Sequence, residues 1–568
     1  CGQEAIVTGY SVFKMSGSRC LMWVAMLWLL TGAASASAQS SDPTRAEPSS
    51  AKQPDCRATV ESLVLEASAD RDPRRTDRAL DIALACHHIP AAWQMAARLW
   101  SLDPENPEAL QRVGMVALQA WKIPEAREIY ASLLAKPDVE PGRALADILP
   151  PLSEGPLAPA AWRVFGSMLD RETLTPQAIA TLGRMACNSD DLAACASLIS
   201  LARTRGAGRD VRTIRLAAAA AAALGDESTA LDESSLVAQG DPVNHRFAQI
   251  ETWITLDRFD EARAALQKIA TVDDASPDTP FRREAERRLA LLALSQGELT
   301  EAERLFSERL RADRGSAESL YYLAVIAERQ GRTDSALKAY LQLSAAGAGL
   351  PPRVRAARLL FAAGRYNDAL ALFDALKHPA RNNTIEIEIA RSRSLAEAGF
   401  DDEAIDSIEG ALQRHPDHPE LRYHKAVLLD GMGRTAAGIR VFEELLKQRP
   451  DEANVMNALG YTLADRKRQL PRAERLVRAA LDQRPDNAAY LDSLGWVLFR
   501  RGKTQDALPL LERAWRLSKE AEIAAHWGEA LWASGDRAAA QRVWAQALLL
   551  SPESKPLRDV IERFAERR

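Results

Sequence analysis

The sequence lacks most of what sheets, metal sites and phosphate-binding surfaces require. Six cysteines stand among 568 residues and none forms a Cys-x-x-Cys pair, so the close ligand spacing of a structural zinc site is missing. Val and Ile give way to Ala and Leu, and no Asn-Gly turn lies between alternating strands, which favours helix over sheet. Basic charge is not in excess either. With 73 Lys+Arg against 78 Asp+Glu the formal charge is -5, so a sequence-independent grip on phosphates has no source and nucleic acid is excluded as a partner. Signatures of catalysis are absent as well: there is no Gly-x-Ser-x-Gly, no P-loop, no His-Glu-x-x-His and no Gly-x-Gly-x-x-Gly. What remains, 47% apolar and 27% charged residues, is the composition of an ordinary globular protein rather than a disordered one.

The N-terminal segment reads as an address. From Met15 a basic stretch ending at Arg19 is followed by an apolar run, Leu21 to Leu30, and by small residues closing on Ala36-Ser37-Ala38, the order of a secretory signal. Residues 1–38 are therefore expected to be an upstream extension, Cys1 to Lys14, plus a signal cleaved after Ala38. The apolar run is about half of the roughly 20 residues that span a bilayer, so no integral membrane span is expected after cleavage. Cys20 precedes the run instead of following it, which gives no support to a lipid anchor. Residues 39–55 are Ser, Pro, Asp, Gln and Lys with almost nothing apolar, the composition of a disordered linker.

Export would leave Cys56, Cys86, Cys187 and Cys195 in a compartment that permits disulfides. Cys187 and Cys195 bracket the turn formers Asn188-Ser189-Asp190-Asp191, so a bridge there would clip one helical hairpin, and Cys56 with Cys86 would tie the first two helices. Four buried free thiols are the alternative.

The dominant pattern is a repeat. Ala302, Ala336, Ala369, Ala404, Gly438, Ala473, Ala507 and Ala540 follow one another at intervals of 33 to 35 residues, and each is followed four residues later by a large apolar residue, from Phe306 to Trp544. Five residues before most of them stands a glycine: Gly297, Gly331, Gly364, Gly399, Gly433, Gly502 or Gly535. A small residue lets two helices approach closely, the large one fills the gap beside it, and glycine ends the first helix in a left-handed cap. Pro416, Pro450, Pro485 and Pro552 close units. The unit around Ala473 has Lys467 and Arg468 where the glycine belongs, which predicts a distorted hairpin. Earlier units centre on Ala262 and Ala126, while 137–240 is helical by composition without clean phase, and its run from Leu216 to Leu224 reads as a tightly packed helix. No single hairpin can bury its apolar face alone, so neighbours must stack.

This spacing resembles the tetratricopeptide repeat, whose apolar-Gly pair recurs at Leu459-Gly460-Tyr461, Leu494-Gly495-Trp496 and Trp527-Gly528. The resemblance implies an all-α, right-handed superhelical solenoid of helix-turn-helix repeats. The expected organisation is a divergent helical region over 56–240, the repeat array over 241–552 and a charged capping helix over 553–568.

Candidate chemistry is sparse. His415 and His418 lie in a proline-flanked turn with His424 on the next helix, and these, like His87-His88, read as solvated loop histidines rather than metal ligands. Asp401-Asp402 begin a helix, where they oppose its dipole. No catalytic residue, metal or cofactor is expected. Arrays of this kind offer a groove lined by first helices, and counting along each unit places Tyr321, Val325, Ile389, Arg393, Tyr423, Val427, Asn457, Tyr461, Asp492, Trp496 and Trp532 on or near it. Aromatic area mixed with Asn, Asp and Arg suits a peptide, although Trp496 and Trp532 equally fit packing between repeats. The Lys/Asn clamp that some arrays use for a C-terminal carboxylate is not reproduced, because Tyr and Val occupy those faces.

Over Ala453 to Leu550 the resemblance is more specific. The stretches from Asn457 to Asp465, from Leu491 to Leu498 and from Glu522 to Glu529, with Val543-Trp544, are similar to a block shared by proteobacterial envelope repeat proteins. That group includes an outer-membrane lipoprotein that binds a carboxyl-terminal processing protease and helps it degrade cell-wall hydrolases. The resemblance implies a non-catalytic periplasmic scaffold or adaptor, associated with the outer membrane, with proteins or peptides of the envelope as partners. A scaffold for exopolysaccharide synthesis or export is the alternative.

Overall fold

The computed structural model describes residues 56–565 apart from His87, Arg209, 236–241, 272–279, 377–383 and Glu553. The expected extension, signal and linker over 1–55 lie outside the described residues. Within them the chain is all-α: 30 α-helices and one 3-10 turn, with no strand among the described residues. From Pro280 onward the helices pair as the periodicity requires, Pro280–Ser295 with Leu299–Ala312, Ala317–Arg329 with Thr333–Ala345, and so on to Ala521–Ser534 with Arg537–Leu550. Many first helices open on proline, as at Pro73, Pro107, Pro176, Pro280 and Pro419, where the missing N–H would have had no partner in any case.

The expected hairpin geometry is present. Ala302, Ala336, Ala369, Ala404, Ala473, Ala507 and Ala540 are wholly buried, and so are Phe306, Tyr340, Phe373 and Leu511. The predicted turn glycines all take positive φ, between 72° at Gly364 and 99° at Gly535. The residue after the turn closes the helix by donating to a carbonyl five positions back, as from Glu298 N to Ala293 O at 2.9 Å and Arg365 N to Leu360 O at 2.8 Å. In the unit without glycine, Lys467 (φ 52°) and Gln469 (φ 46°) are both forced left-handed, which is the expected distortion.

The region 137–240 does keep the phase, contrary to its appearance in the sequence. Trp121, Asp190, Gly225 and Asp257 adopt the same left-handed turn, the residue after each donating to a carbonyl five positions back, and Gly155 takes positive φ between the first two without that bond, so the hairpins continue upstream with non-glycine residues at three of these positions. One of them is broken. Helix Pro141–Leu152 packs on Pro176–Cys187, whereas Ala158–Met168 packs on Ile123–Leu134 and on Pro176–Cys187. The alanine-rich helix Val211–Leu224 buries Ala217, Ala218, Ala220, Ala221 and Ala222. Cys187 and Cys195 are joined by a disulfide across Cα atoms 4.9 Å apart. Cys86 is also disulfide-bonded, and the Cys56 side chain lies outside the described residues.

The first third of the chain returns to touch the last. The turn between Pro176–Cys187 and Leu192–Thr204 meets the link between Leu470–Leu481 and Ala488–Arg500. Asp486 N donates to Asp190 O (2.8 Å), Leu192 N to Asp486 Oδ2 (3.0 Å) and Asn487 Nδ2 to Asp190 Oδ2 (2.9 Å). Arg449 Nη2 likewise donates to Gln119 O (3.2 Å), and His88 Nε2 lies 3.3 Å from Asp417 Oδ2. His88 Nδ1 also accepts from Ala91 N at 3.2 Å, capping helix Ile89–Leu102. His88 is therefore a half-buried bridging residue and not a solvated one. The end of the array is closed by Lys555–Ala565, which buries Leu557, Val560 and Phe564 and leaves its charged side chains outward.

The tightest helix approach is measurable. A Cβ at Gly528 would lie 1.9 Å from Trp544 Nε1, an overlap that relaxation must relieve. Gly528→Ala is expected to destabilise the C-terminal hairpin by about 1–3 kcal/mol, read as a lowered thermal midpoint. Adding Trp544→Leu should give back part of the loss; a single variant that melts like the parent would contradict this packing.

Candidate functional site

First helices lie side by side along the array, with Leu350–Ala362, Thr384–Glu397, Pro419–Gly431, Ala453–Asp465, Ala488–Arg500 and Ala521–Ser534 each touching the next. The side chains expected to form a groove divide into two groups.

The C-terminal group is packed inside. Asn457 is wholly buried, and neither its Nδ2 nor its Oδ1 has a hydrogen-bond partner among the described residues. Asp492 and Trp496 are buried too, at 5% and 4% exposure. Asp492 faces His526, whose Nδ1 lies 2.9 Å from one carboxylate oxygen and 3.0 Å from the other. The Trp496 ring stacks on the same imidazole with centroids 4.2 Å apart, and Arg500 lies over the indole at 4.9 Å. Tyr461 donates its hydroxyl proton to Glu522 Oε1 at 2.8 Å and stands 5.9 Å from the His526 ring. Tyr423 packs edge-on to Phe442. Trp532 lies at the end of the chain between Trp544 and Phe564, with centroids 5.8 and 5.3 Å away, so it belongs to the cap. Sequence counting missed His526, which sits one position along the helix from the residue equivalent to Asn457 and Asp492.

The middle group stays at least partly at the surface, except Val325, which is buried. Tyr321 is half-buried and accepts from Arg355 Nε at 3.2 Å, while Arg355 Nη1 donates to Glu328 Oε2 at 2.9 Å and Arg358 pairs with the other oxygen of Glu328. Glu328 also accepts from the Tyr340 hydroxyl at 2.8 Å. Burial acts to raise the Glu328 carboxyl, but Arg355 and Arg358 outweigh it and hold it below the usual range. Arg358 and Arg393 keep 50% and 39% of their side chains exposed, so two first helices present cations to solvent. Ile389 is half-buried beside them.

The other expected histidine cluster is not solvated. His415, His418 and His424 are half-buried, with the first two rings 6.5 Å apart. Burial, with Arg393 nearby, pushes His424 down to about 4. No group of three His, Cys, Asp or Glu side chains among the described residues could hold a metal ion. Asp401 and Asp402 do open a helix, and Asp402 pairs with Arg434 at 2.6 Å. No helix among the described residues is long and apolar enough to cross a membrane.

Stacked helical hairpins with an inner row of first helices define the class, a helical repeat array. Two tetratricopeptide repeat models match, one at 254–317, 287–351 and 462–521 and the other at 397–460, so those stretches carry tetratricopeptide repeats. It is similar to TPR repeat-containing protein PA4667 of Pseudomonas aeruginosa, 30% identical over 209 residues. That match spans 37% of this chain and only 35% of the relative's length. Among solved structures it is similar to yeast Tom70, at 16% identity and a TM-score of 0.36 over 82% of this chain and 96% of that one. It is also similar to a thermophilic TPR protein of Thermus thermophilus, at 22% identity and a TM-score of 0.29 over 32% of this chain and 97% of that one.

The buried His526–Asp492 pair makes stability depend on pH. Burial by itself would lower the imidazole, yet the Asp492 charge and hydrogen bond prevail and pull it up to about 9. The folded chain thus holds this proton more tightly than the unfolded chain, so the stabilisation is complete below about pH 6.5 and is lost as pH rises towards 9. The thermal midpoint, followed by tryptophan fluorescence, should fall across that window in the parent and stay nearly flat in His526→Gln. The difference corresponds to on the order of 2 kcal/mol; equal slopes would show that the pair does not titrate there.

Proposed function

We propose that the chain is an exported adaptor of the bacterial cell envelope that holds a carboxyl-terminal processing protease and presents cell-wall hydrolases to it. The observation that carries the adaptor reading is the inner face of the middle repeats, where Tyr321, Arg355, Arg358 and Arg393 come from three successive first helices and remain at least partly open. Aromatic area beside partly exposed guanidinium groups suits an extended peptide, since the ring supplies apolar contact and each Arg a fork of donors for backbone carbonyls or carboxylates. The Cys187–Cys195 disulfide supports an oxidising compartment. The C-terminal block, Ala453 to Leu550, supports the envelope and protease assignment through its resemblance to adaptors of that kind.

Affinity purification of the chain from an envelope fraction, followed by mass spectrometry, tests this directly. A processing protease with wall hydrolases is the expected recovery; polysaccharide synthase or export subunits in their place would overturn the reading. Neutralisation of the two exposed cations, Arg358→Gln with Arg393→Gln, should leave the chain folded, because Glu328 keeps Arg355 and the Tyr340 hydroxyl and exposed pairs contribute about 1 kcal/mol or less. It should also abolish partner recovery. Undiminished recovery by this folded double variant would remove the middle repeats as the contact surface.

A further inference from the structure

A cavity of about 250 Å³ lies where the middle of the chain meets its C-terminal third, between helices Val211–Leu224, Pro242–Thr255 and Pro280–Ser295 on one side and the end of Thr504–Leu517 on the other. Its chemistry is two-faced. Ala219, Ala223, Ala248, Ile254 and Phe259 give it an apolar wall. Four cations, Arg215, Arg288, Arg516 and Lys519, line it against two anions, Glu251 and Asp257.

The charges are not evenly matched. Glu251 is held between Arg215 Nε at 3.0 Å and Arg288 Nη1 at 2.8 Å, and Arg288 also binds Glu284 at 2.6 Å, so these two arginines are compensated. Lys519 lies 3.8 Å from Asp257. Arg516 has the weakest match: its carboxylate neighbour, Glu512, is 3.9 Å away, and 52% of its side chain is exposed while Nη1 reaches over Gly225 at the cavity. Helix Val211–Leu224 ends at Gly225, and the partial negative charge of that end offsets the guanidinium only in part. An apolar pocket with a positive mouth selects a ligand that is apolar at one end and anionic at the other.

We propose that this cavity binds an apolar chain ending in a single carboxylate, the chain against Ala219 and Ala223 and the carboxylate at Arg516 and Lys519. The site goes beyond the inner-face reading and shares no residue with it. It also differs from a Lys/Asn clamp in a groove, because the two cations assigned to the carboxylate come from the C-terminal third and the apolar wall from residues 219–259. Such a ligand would touch both parts of the chain at once. Two sources carry this chemistry, a free fatty acid and the carboxyl terminus of an apolar peptide.

Calorimetry on the full exported chain separates them, with octanoate, octanamide, acetyl-Ala-Leu and its amide as probes. Saturable binding of a carboxylate is expected, with the matching amide bound at least about ten-fold more weakly, as a charge-assisted bond requires. Octanoate alone would assign the site to a fatty acid and acetyl-Ala-Leu to a peptide terminus; either supports the proposal. Arg516→Gln should weaken the carboxylate about ten-fold, and Ala223→Leu, which fills the cavity, should abolish binding. If Ala223→Leu fails to fold, Arg516→Gln decides, since its side chain is half exposed. Equal affinity for acid and amide, no saturable heat with any probe at millimolar concentration, or unchanged binding by Arg516→Gln overturns the proposal.

Discussion

Everything in this chain depends on one steric condition, the close crossing of two helices within each hairpin. Where the second helix carries Ala, as at Ala302 or Ala507, the side chain is wholly buried and the first helix lies against it. Where the first helix carries glycine the approach is closer still: a Cβ at Gly460 would meet Val477 Cγ2 at 2.5 Å, and one at Gly495 would meet Leu511 Cγ at 2.6 Å. Close crossing fixes the hairpin angle, and a repeated angle makes neighbours stack in one sense. The large residue four positions on then fills the space that the small one leaves. Ser392 shows the limit of tolerance, since its hydroxyl fits only by donating across the hairpin to Ala404 O at 2.7 Å.

Stacking in one sense brings distant repeats together. Hydrogen bonds join residues 294, 297 and 330 positions apart, so the array curls until its early hairpins meet its late ones. The meeting points are alike: a turn inside an early hairpin touches a link between two late ones. Asp190 is the clearest case, because the left-handed turn that ends Pro176–Cys187 puts its carbonyl and carboxylate within reach of Asp486 and Asn487. The Cys187–Cys195 bridge closes that same loop of residues, so local covalent closure and long-range contact reinforce each other at one place.

The phase of the second half was legible because it rests on glycine and alanine, residues whose scarcity of side chain is itself the signal. Upstream the same turn is made by Trp121, Asp190 and Asp257, at φ near 55°, which cost more to hold left-handed and give no hint of it in the sequence. Contacts with late hairpins reach two of them, Asn487 donating to Asp190 and Lys519 facing Asp257. The groove residues were legible only as helix faces. Periodicity puts Asn457, Asp492 and Trp496 on first helices, where they are buried; whether such a row is open depends on curvature, and curvature sums small angles that no local pattern records. His526 was invisible for a related reason: its partner is Asp492 on the preceding first helix, 34 residues away.

Curvature also divides the work along the inner face. In the last repeats aromatic and ionic side chains are consumed by one another, with Trp496 on His526, His526 on Asp492 and Tyr461 on Glu522, an arrangement that stiffens the block and closes it against the cap at Trp532 and Phe564. Between Ala317 and Glu397 the first helices keep partly exposed arginines, Arg355 and Arg358 anchored by Glu328 and Arg393 by Glu397. A rigid end and a receptive middle follow from the same helix face, differing only in whether the next first helix brings a partner for each side chain. On the proposed adaptor reading, a peptide would be met by those repeats whose inner row keeps partly exposed side chains.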